Sequence, residues 1–187
     1  MTVDVRSIPL LARLFYFLRH GETENNRRLL IAGSLNVELN DTGRAQARAA
    51  VDLVKSLGIT AIYSSSLRRT RDTARVIADV LGLAVTPIAA LNERNWGELE
   101  GKPRAARLLG VTPPGAETPR QYIERTAAGL ASIPAAGVPL IVAHSGTYRV
   151  LCRLLGHEAG AEPVMNCRPV RFTPPADGAG AWRVEML

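Results

Sequence analysis

Lysine, cysteine and aromatic residues are all scarce in this chain. Lys55 and Lys102 are its only lysines, so arginine carries nearly all the positive charge behind a net +6. The arginines are scattered rather than packed into one run, and aromatics make up only 5% of the residues. A dedicated nucleic-acid surface needs a concentrated basic stripe, with aromatic rings for stacking, so this composition favours attraction to small anions instead. The two cysteines, Cys152 and Cys167, make no Cys-x-x-Cys pair, and the three histidines form no tract. That excludes a disulfide scaffold and a zinc-ribbon site. The apolar stretch over residues 8–18 is broken by Arg13 and is too short to span a bilayer. A signal peptide there would need cleavage inside what reads as the first strand. The expectation is a cytoplasmic protein with no membrane or nucleic-acid partner, no metal and no cofactor.

What is present is an ordinary globular balance, with 47% hydrophobic and 21% charged residues over 187 positions. That is enough for one domain with a full core and too little for two comfortable ones. Residues 1–187 are therefore read as a single domain, with 1–12 as an irregular leader.

Leu14-Phe15-Tyr16-Phe17-Leu18 is a short apolar run of strand character that ends abruptly at Arg19-His20-Gly21. It delivers a cation and an imidazole at a strand's carboxyl end, followed by a glycine that would let backbone approach a ligand. Ligands of open α/β sheets sit at that edge. Residues 22–40 read as a loop over the site, with room for a short helix and a turn at Gly33-Ser34. A helix capped by Asn40, Asp41 or Thr42 follows, with Ala47, Ala50, Val51, Val54 and Leu57 on one face and Gly58 as its stop. Ala61-Ile62-Tyr63 is a second strand. The next helix shows Thr70, Ala74, Ile77, Ala78 and Leu81 on one face and stops at Gly82, and residues 83–88 make a third strand. This alternation predicts parallel pairing with right-handed crossovers.

Residues 91–118 lose periodicity and gather Gly and Pro, with one helical turn expected around 105–109. A helix over 119–132 begins with Pro119 in its first turn. Pro139 to Ala143 is a buried strand ending at His144-Ser145-Gly146, and a helix over 147–155 follows. The pieces 170–173 and 181–186 form a hairpin at the sheet edge. The architecture expected is a three-layer α/β/α fold with a mostly parallel central sheet. Its strand ends bring Arg19-His20, the Ser64 to Arg69 turn and His144 to one edge although they are far apart in the chain.

Five pieces in order carry a family likeness. Leu18-Arg19-His20-Gly21-Glu22-Thr23 with Asn26, and Tyr63-Ser64-Ser65-x-Leu67-x-Arg69 with Thr73-Ala74, are the first two. Leu91-Asn92-Glu93-Arg94 with Trp96-Gly97 and Glu100-Gly101, Pro113-Pro114-Gly115-x-Glu117, and Val142-Ala143-His144 complete the set. Together they resemble the histidine phosphatase superfamily of phosphoglycerate mutase-like fold, over residues 14 to about 156.

The resemblance implies His20 as nucleophile, since a neutral imidazole can attack phosphorus and split one displacement into two. It implies Arg19 and Arg69 as the clamp on the phosphoryl oxygens, because guanidinium forks match phosphate and stay charged. Arg68 is the local competitor of Arg69. His144 becomes a further donor beside His20, Asn26 a hydrogen-bond donor to phosphate, and the backbone N–H of Ser145 another. Glu93 is the implied general acid, a carboxyl that must hold a proton near neutrality, with Glu22, Glu98, Glu100 and Glu117 as rivals by type. Trp96 and Tyr63 read equally as core or as pocket wall.

Two departures stand out. Ser145 follows the second histidine where many relatives have glycine, and the segment from Glu93 to Pro113 is short beside the longer covers of cofactor-dependent mutases. A mutase must keep water from its phosphohistidine and a phosphatase must admit it. The reading is therefore a metal-independent phosphomonoesterase of the small bacterial phosphatase branch, acting on a small phosphorylated metabolite or binding inorganic phosphate. The alternatives are a 2,3-bisphosphoglycerate-dependent mutase and a non-catalytic phospho-ligand binder; a homodimer stays open.

Overall fold

The protein is described from a computed structural model over residues 4–157, 164–176 and 180–187. Six strands form one sheet: β1 Phe15–Arg19, β2 Ala61–Ser65, β3 Val85–Ile88, β4 Pro139–Ala143, β5 Pro169–Thr173 and β6 Arg183–Met186. Their spatial order is β3-β2-β4-β1-β5-β6. β3, β2, β4 and β1 are mutually parallel, while β5 runs antiparallel to β1 and β6 to β5. The edge hairpin is therefore present, and part of its connecting turn lies outside the described residues. β1 and β2 are both parallel to β4, which comes late in the chain and lies between them.

Period-two alternation sorts the central strands onto two cores. Phe15, Phe17, Ile141 and Ala143 face one core, and Tyr16, Leu18, Leu140 and Val142 face the other. The second core is covered by helices α2 (Asp41–Val54) and α3 (Arg68–Leu81), through Ala47, Ala50, Val54, Ala74, Ile77 and Ala78. The first is covered by α4 (Pro119–Ala131) and α5 (Ser145–Leu154), through Ala127, Leu130 and Leu151. A short helix α1, Glu24–Arg27, lies in the loop after β1.

The helix ends follow their local chemistry. The Asn40 side chain accepts from the Gly43 N–H at 2.8 Å to start α2, and Thr118 and Gln121 form a capping box on α4. Gly82 ends α3 in the left-handed conformation, at φ 66°.

Residues 1–12 are not an irregular leader where they are described. Val5–Ser7 and Pro9–Ala12 wind into two 3-10 turns, and Ile8, Leu10 and Leu11 are buried in the first core. Three apolar side chains so close together have more to gain from burial than a solvated leader allows. The turn expected at 105–109 sits instead at Arg104–Ala106, with a second at Gly97–Leu99. Helix α5 begins at Ser145, two residues earlier than its periodicity suggests, because small Ser145 and Gly146 give no apolar signal.

Candidate active site

Sheet register builds the site. Arg19 on β1 pairs with Ala143 on β4, so the next residues, His20 and His144, stand side by side. Their ring centroids are 5.3 Å apart, with planes at 62°. Ser64 on β2 pairs with Val142, which puts Ser65 beside the end of β4, and His144 Nε2 is hydrogen-bonded to Ser65 Oγ at 2.8 Å. The Ser65 hydroxyl donates in turn to Asn92 Oδ1, which also accepts from the Ser66 backbone N–H. With its one proton committed there, Ser65 Oγ accepts from His144 Nε2–H. His144 Nδ1 is left buried and without a partner.

His20 has an equally definite tautomer. Its Nδ1 lies 2.7 Å from the Gly21 carbonyl oxygen, which can only accept, so the proton sits on Nδ1 and Nε2 keeps its lone pair. The ring lines a cleft of about 440 Å³. Burial, then Arg69 and Arg19, hold the His20 imidazole well below its ordinary 6.5. Burial, Arg69 and His20 do the same to His144. Both rings are therefore neutral in the free protein.

Arg19 and Arg69 line the same cleft. Burial, with Arg104 adding repulsion, lowers the Arg19 guanidinium to about 10. Burial also lowers Arg69 to about 10, with Glu93 opposing. Arg19 donates to the Val164 carbonyl at 2.9 Å, and Arg69 to the Leu35 and Gly33 carbonyls at 2.7 and 2.8 Å. Nε of each is buried and unpartnered. Arg68 points away, its backbone bonded to Asn36 and its side chain paired with Glu38.

Asn26 lines the cleft as well. Its Oδ1 accepts from the Thr23 N–H at 3.1 Å in the cap of α1, which fixes the amide and leaves Nδ2 as the end free to donate. Ser145 is on the cleft wall as the first residue of α5, where backbone N–H groups lack intrahelical partners.

Glu93 is the only carboxylate among the described residues that line this cleft. Three donors hold it: Tyr122 Oη at 3.0 Å and the Arg94 N–H at 2.9 Å to Oε1, and the Gly146 N–H at 3.2 Å to Oε2. Burial and Glu93 push the Tyr122 phenol well above 10, so it stays a donor. The rival carboxylates are engaged elsewhere. Glu100 accepts from Ser34, Glu117 from Arg125, and Glu22 from Asn40; Glu98 is absent from the cleft wall. His144 is close to His20 but is not among the lining side chains; it lies fully buried behind them.

Gly21 differs from the sequence reading. The close approach at Gly21 is to protein backbone: a Cβ there would lie 2.4 Å from the Gly43 carbonyl oxygen. Gly43 in turn fits against Glu22, whose carbonyl oxygen would be 2.0 Å from an added Cβ. Gly146 leaves room for Glu93 Oε1, which a Cβ would meet at 2.1 Å.

Sequence reasoning missed Tyr122, Asn92 and Arg125. Tyr122 is a buried anchor with no local signal, and half-buried Asn92 stands in the Leu91-Asn92-Glu93-Arg94 motif without a role of its own. Arg125 forks onto Glu117 at 2.8 Å and donates to the Ala90 and Asn92 carbonyls, fastening the segment that carries Glu93. It also missed Arg94, Arg104, Arg107, Arg149 and Arg153, all on the cleft wall. Trp96 is wall, with the Arg94 and Arg107 guanidinium carbons 4.2 and 4.0 Å from its ring centroid, whereas Tyr63 packs on the first core.

No group of three or more His, Cys, Asp or Glu side chains among the described residues could hold a metal ion. No helix among them is long and apolar enough to cross a membrane.

Comparison with known proteins agrees with this geometry. An agropine synthesis reductase of Rhizobium rhizogenes is 32% identical over 182 residues, 92% of this chain, which spans 41% of that protein's length. A probable phosphoglycerate mutase GpmB of Yersinia pestis is 34% identical over 171 residues, 82% of this chain and 80% of its own. Among solved structures, a mycobacterial glucosyl-3-phosphoglycerate phosphatase in complex with VO3 superposes with a TM-score of 0.75 at 27% identity, covering 93% of this chain and 98% of the other. The same phosphatase with inorganic phosphate gives 0.73 at 26% identity, covering 92% and 95%. Residues 15–173 match the histidine phosphatase superfamily, branch 1. A parallel sheet that sets two histidines and two arginines at one strand edge, over a chain that matches this far, makes the protein a member of the histidine phosphatase superfamily.

Proposed function

We propose that the protein is a phosphomonoesterase that hydrolyses a small phosphorylated metabolite through a phosphohistidine on His20. The observation that carries this reading is the 2.7 Å bond from His20 Nδ1–H to the Gly21 carbonyl, which leaves Nε2 as the nucleophilic nitrogen on the cleft wall. The Nε2 lone pair forms a bond to phosphorus as the bond to the ester oxygen breaks, and Glu93 gives that oxygen its proton. Water then attacks phosphorus, the Glu93 carboxylate takes the water proton, and the P–N electrons return to Nε2 as inorganic phosphate leaves.

Arg19 and Arg69 supply the positive charge for the equatorial oxygens, with their unpartnered Nε–H groups among the donors. Asn26 Nδ2 and the Ser145 N–H add neutral donors. His144 becomes a donor through Nδ1 when a bound dianion draws a proton onto it. The vanadate and phosphate held by the mycobacterial phosphatase support an oxyanion as the bound group here too.

The likeness to GpmB favours one rival, a 2,3-bisphosphoglycerate-dependent mutase. The cover over this cleft, residues 94–113, contains only two single 3-10 turns, which favours access of water to the phosphohistidine. The test is a panel of phosphate monoesters assayed in EDTA with the wild type and His20→Ala. Phosphate release that the substitution abolishes is expected. Activity that needs added Mg²⁺ and survives the substitution would overturn the mechanism. Exchange between phosphoglycerates without phosphate release would make the protein a mutase.

A further inference from the structure

Beyond the arginines of the reacting end, four more gather at the mouth of the cleft. Arg104 and Arg107 come from the 3-10 turn and its C-terminal neighbour, and Arg149 and Arg153 from α5. None of the four has an ion-pair partner among the described residues. Some arginines elsewhere on the surface do find one, as in Arg27–Glu24, Arg44–Asp41, Arg120–Glu124 and Arg183–Glu185, while others such as Arg48 and Arg75 have none among the described residues but stand apart from the cleft.

The placement is unfavourable in the free protein. Arg149 and Arg153 are like charges at i and i+4 on one helix, a spacing that destabilises. Arg104 and Arg149 both repel Arg107, and both reach inward to repel Arg19, so the cluster at the mouth is electrostatically continuous with the reacting end. The Arg107 guanidinium carbon stands 4.0 Å over the Trp96 ring centroid, and its Nε is buried without any partner. A guanidinium stacked in this way presents its N–H edge, the geometry that takes a carboxylate or phosphate as a fork. Glu93 is the single carboxylate among the described residues of the cleft wall and is already occupied by three donors. The cleft is also much larger than one phosphoryl group requires.

We infer that the substrate carries a second anionic group, a carboxylate or a further phosphate, which Arg104, Arg107, Arg149 and Arg153 bind at the mouth while the scissile phosphoryl group lies against His20. The inference rests on the phosphatase reading for the reacting end and adds the chemical class of the remainder. Selectivity then comes from relief of arginine–arginine repulsion by the second charge, and esters with a neutral tail leave that repulsion in place.

The test compares matched esters that differ in the tail charge. 3-Phosphoglycerate against glycerol 3-phosphate reads a carboxylate; fructose 1,6-bisphosphate against fructose 6-phosphate reads a second phosphate. The wild type is expected to prefer the charged tail in at least one pair by about tenfold or more in kcat/KM at low salt, and the preference shrinks as salt rises. In R104Q/R149Q it falls towards unity. Equal kcat/KM within both pairs, or a preference that survives in the double variant, overturns the inference and leaves the phosphatase reading intact.

Failure to hydrolyse any of the four esters overturns the phosphatase reading instead. Calorimetric titration of the wild type with the same esters then decides the inference. Tighter binding of a charged-tail ester, lost in R104Q/R149Q, supports it. Equal affinities, or no binding of either member of both pairs, overturn it.

Discussion

At His20 a single backbone carbonyl decides which ring nitrogen is basic, and burial, reinforced by Arg69 and Arg19, keeps the ring neutral. Both effects have a measurable consequence in stability. His20 and His144 are held well below 6.5 when folded, so below pH 6.5 the unfolded chain binds protons that the native one does not. Stability is fully present above 6.5 and is lost as pH falls from there towards the folded values, with a slope of about 1.4 kcal/mol per pH unit for each histidine. Urea denaturation between pH 7 and 5.5 should show a shallower loss in His144→Gln than in the wild type; equal slopes would remove the claim that His144 is buried neutral.

Gly146 offers a second residue-scale test. An alanine Cβ there would stand 2.1 Å from Glu93 Oε1, the movable end of a side chain and not backbone. Gly146→Ala is therefore expected to displace the Glu93 carboxylate, lowering kcat at least tenfold while the melting temperature stays close to wild type. A large drop in Tm with normal kcat would contradict this.

Helix α2 is the element on which the turn after β1 leans. Gly21 and Gly43 let the backbone after β1 and the first turn of α2 touch, and Gly21 N–H donates to Thr73 Oγ1 of α3 at 3.0 Å. Two helices thus fix the residue after His20. In Gly43→Ala the new Cβ meets the Glu22 carbonyl at 2.0 Å, a backbone clash that no rotamer relieves. The expected cost is about 1–3 kcal/mol in urea unfolding, accompanied by lost activity. The Arg125–Glu117 fork plays the corresponding part on the other side of the cleft, fastening the irregular segment between β3 and α4 that has no sheet to hold it.

For the whole molecule the dominant quantity is positive charge around one cleft. Among the described residues seven arginines line it against one carboxylate: Arg19 and Arg69 within, and Arg94, Arg104, Arg107, Arg149 and Arg153 around them. A bound oxyanion relieves that imbalance only in the folded state, so it stabilises by mass action. Vanadate or phosphate at a hundred times its Kd should add about 2.7 kcal/mol to unfolding. The resulting rise in Tm, read by thermal melting, should be largely lost in Arg69→Gln. An unchanged melting curve in saturating oxyanion would place the anion site elsewhere.

The layered α/β pattern, the order of the elements and the convergence of Arg19, His20, Arg69 and His144 on one edge were all legible from residue order. Local periodicity and parallel-sheet geometry are short-range rules that sequence obeys directly. The same rules misread residues 5–12, whose burial depends on a core assembled from distant strands, and the 91–118 segment, which has no period to read. The roles of Tyr122 and Arg125 gave no signal because Glu93 and the Ala90 and Asn92 carbonyls that they hold lie 29 or more residues away, and Asn92 stood in a motif without a role until folding set it against Ser65 and Ser66. Scattered arginines meant only a basic chain until folding gathered seven of them around one cleft. Sequence alone determined which chemical groups reach the strand edge, because that follows from the order of strands and turns. Tertiary structure alone decided the tautomer of His20, the seating of Glu93 and the charge around the cleft, because those depend on distances between groups that the chain holds far apart.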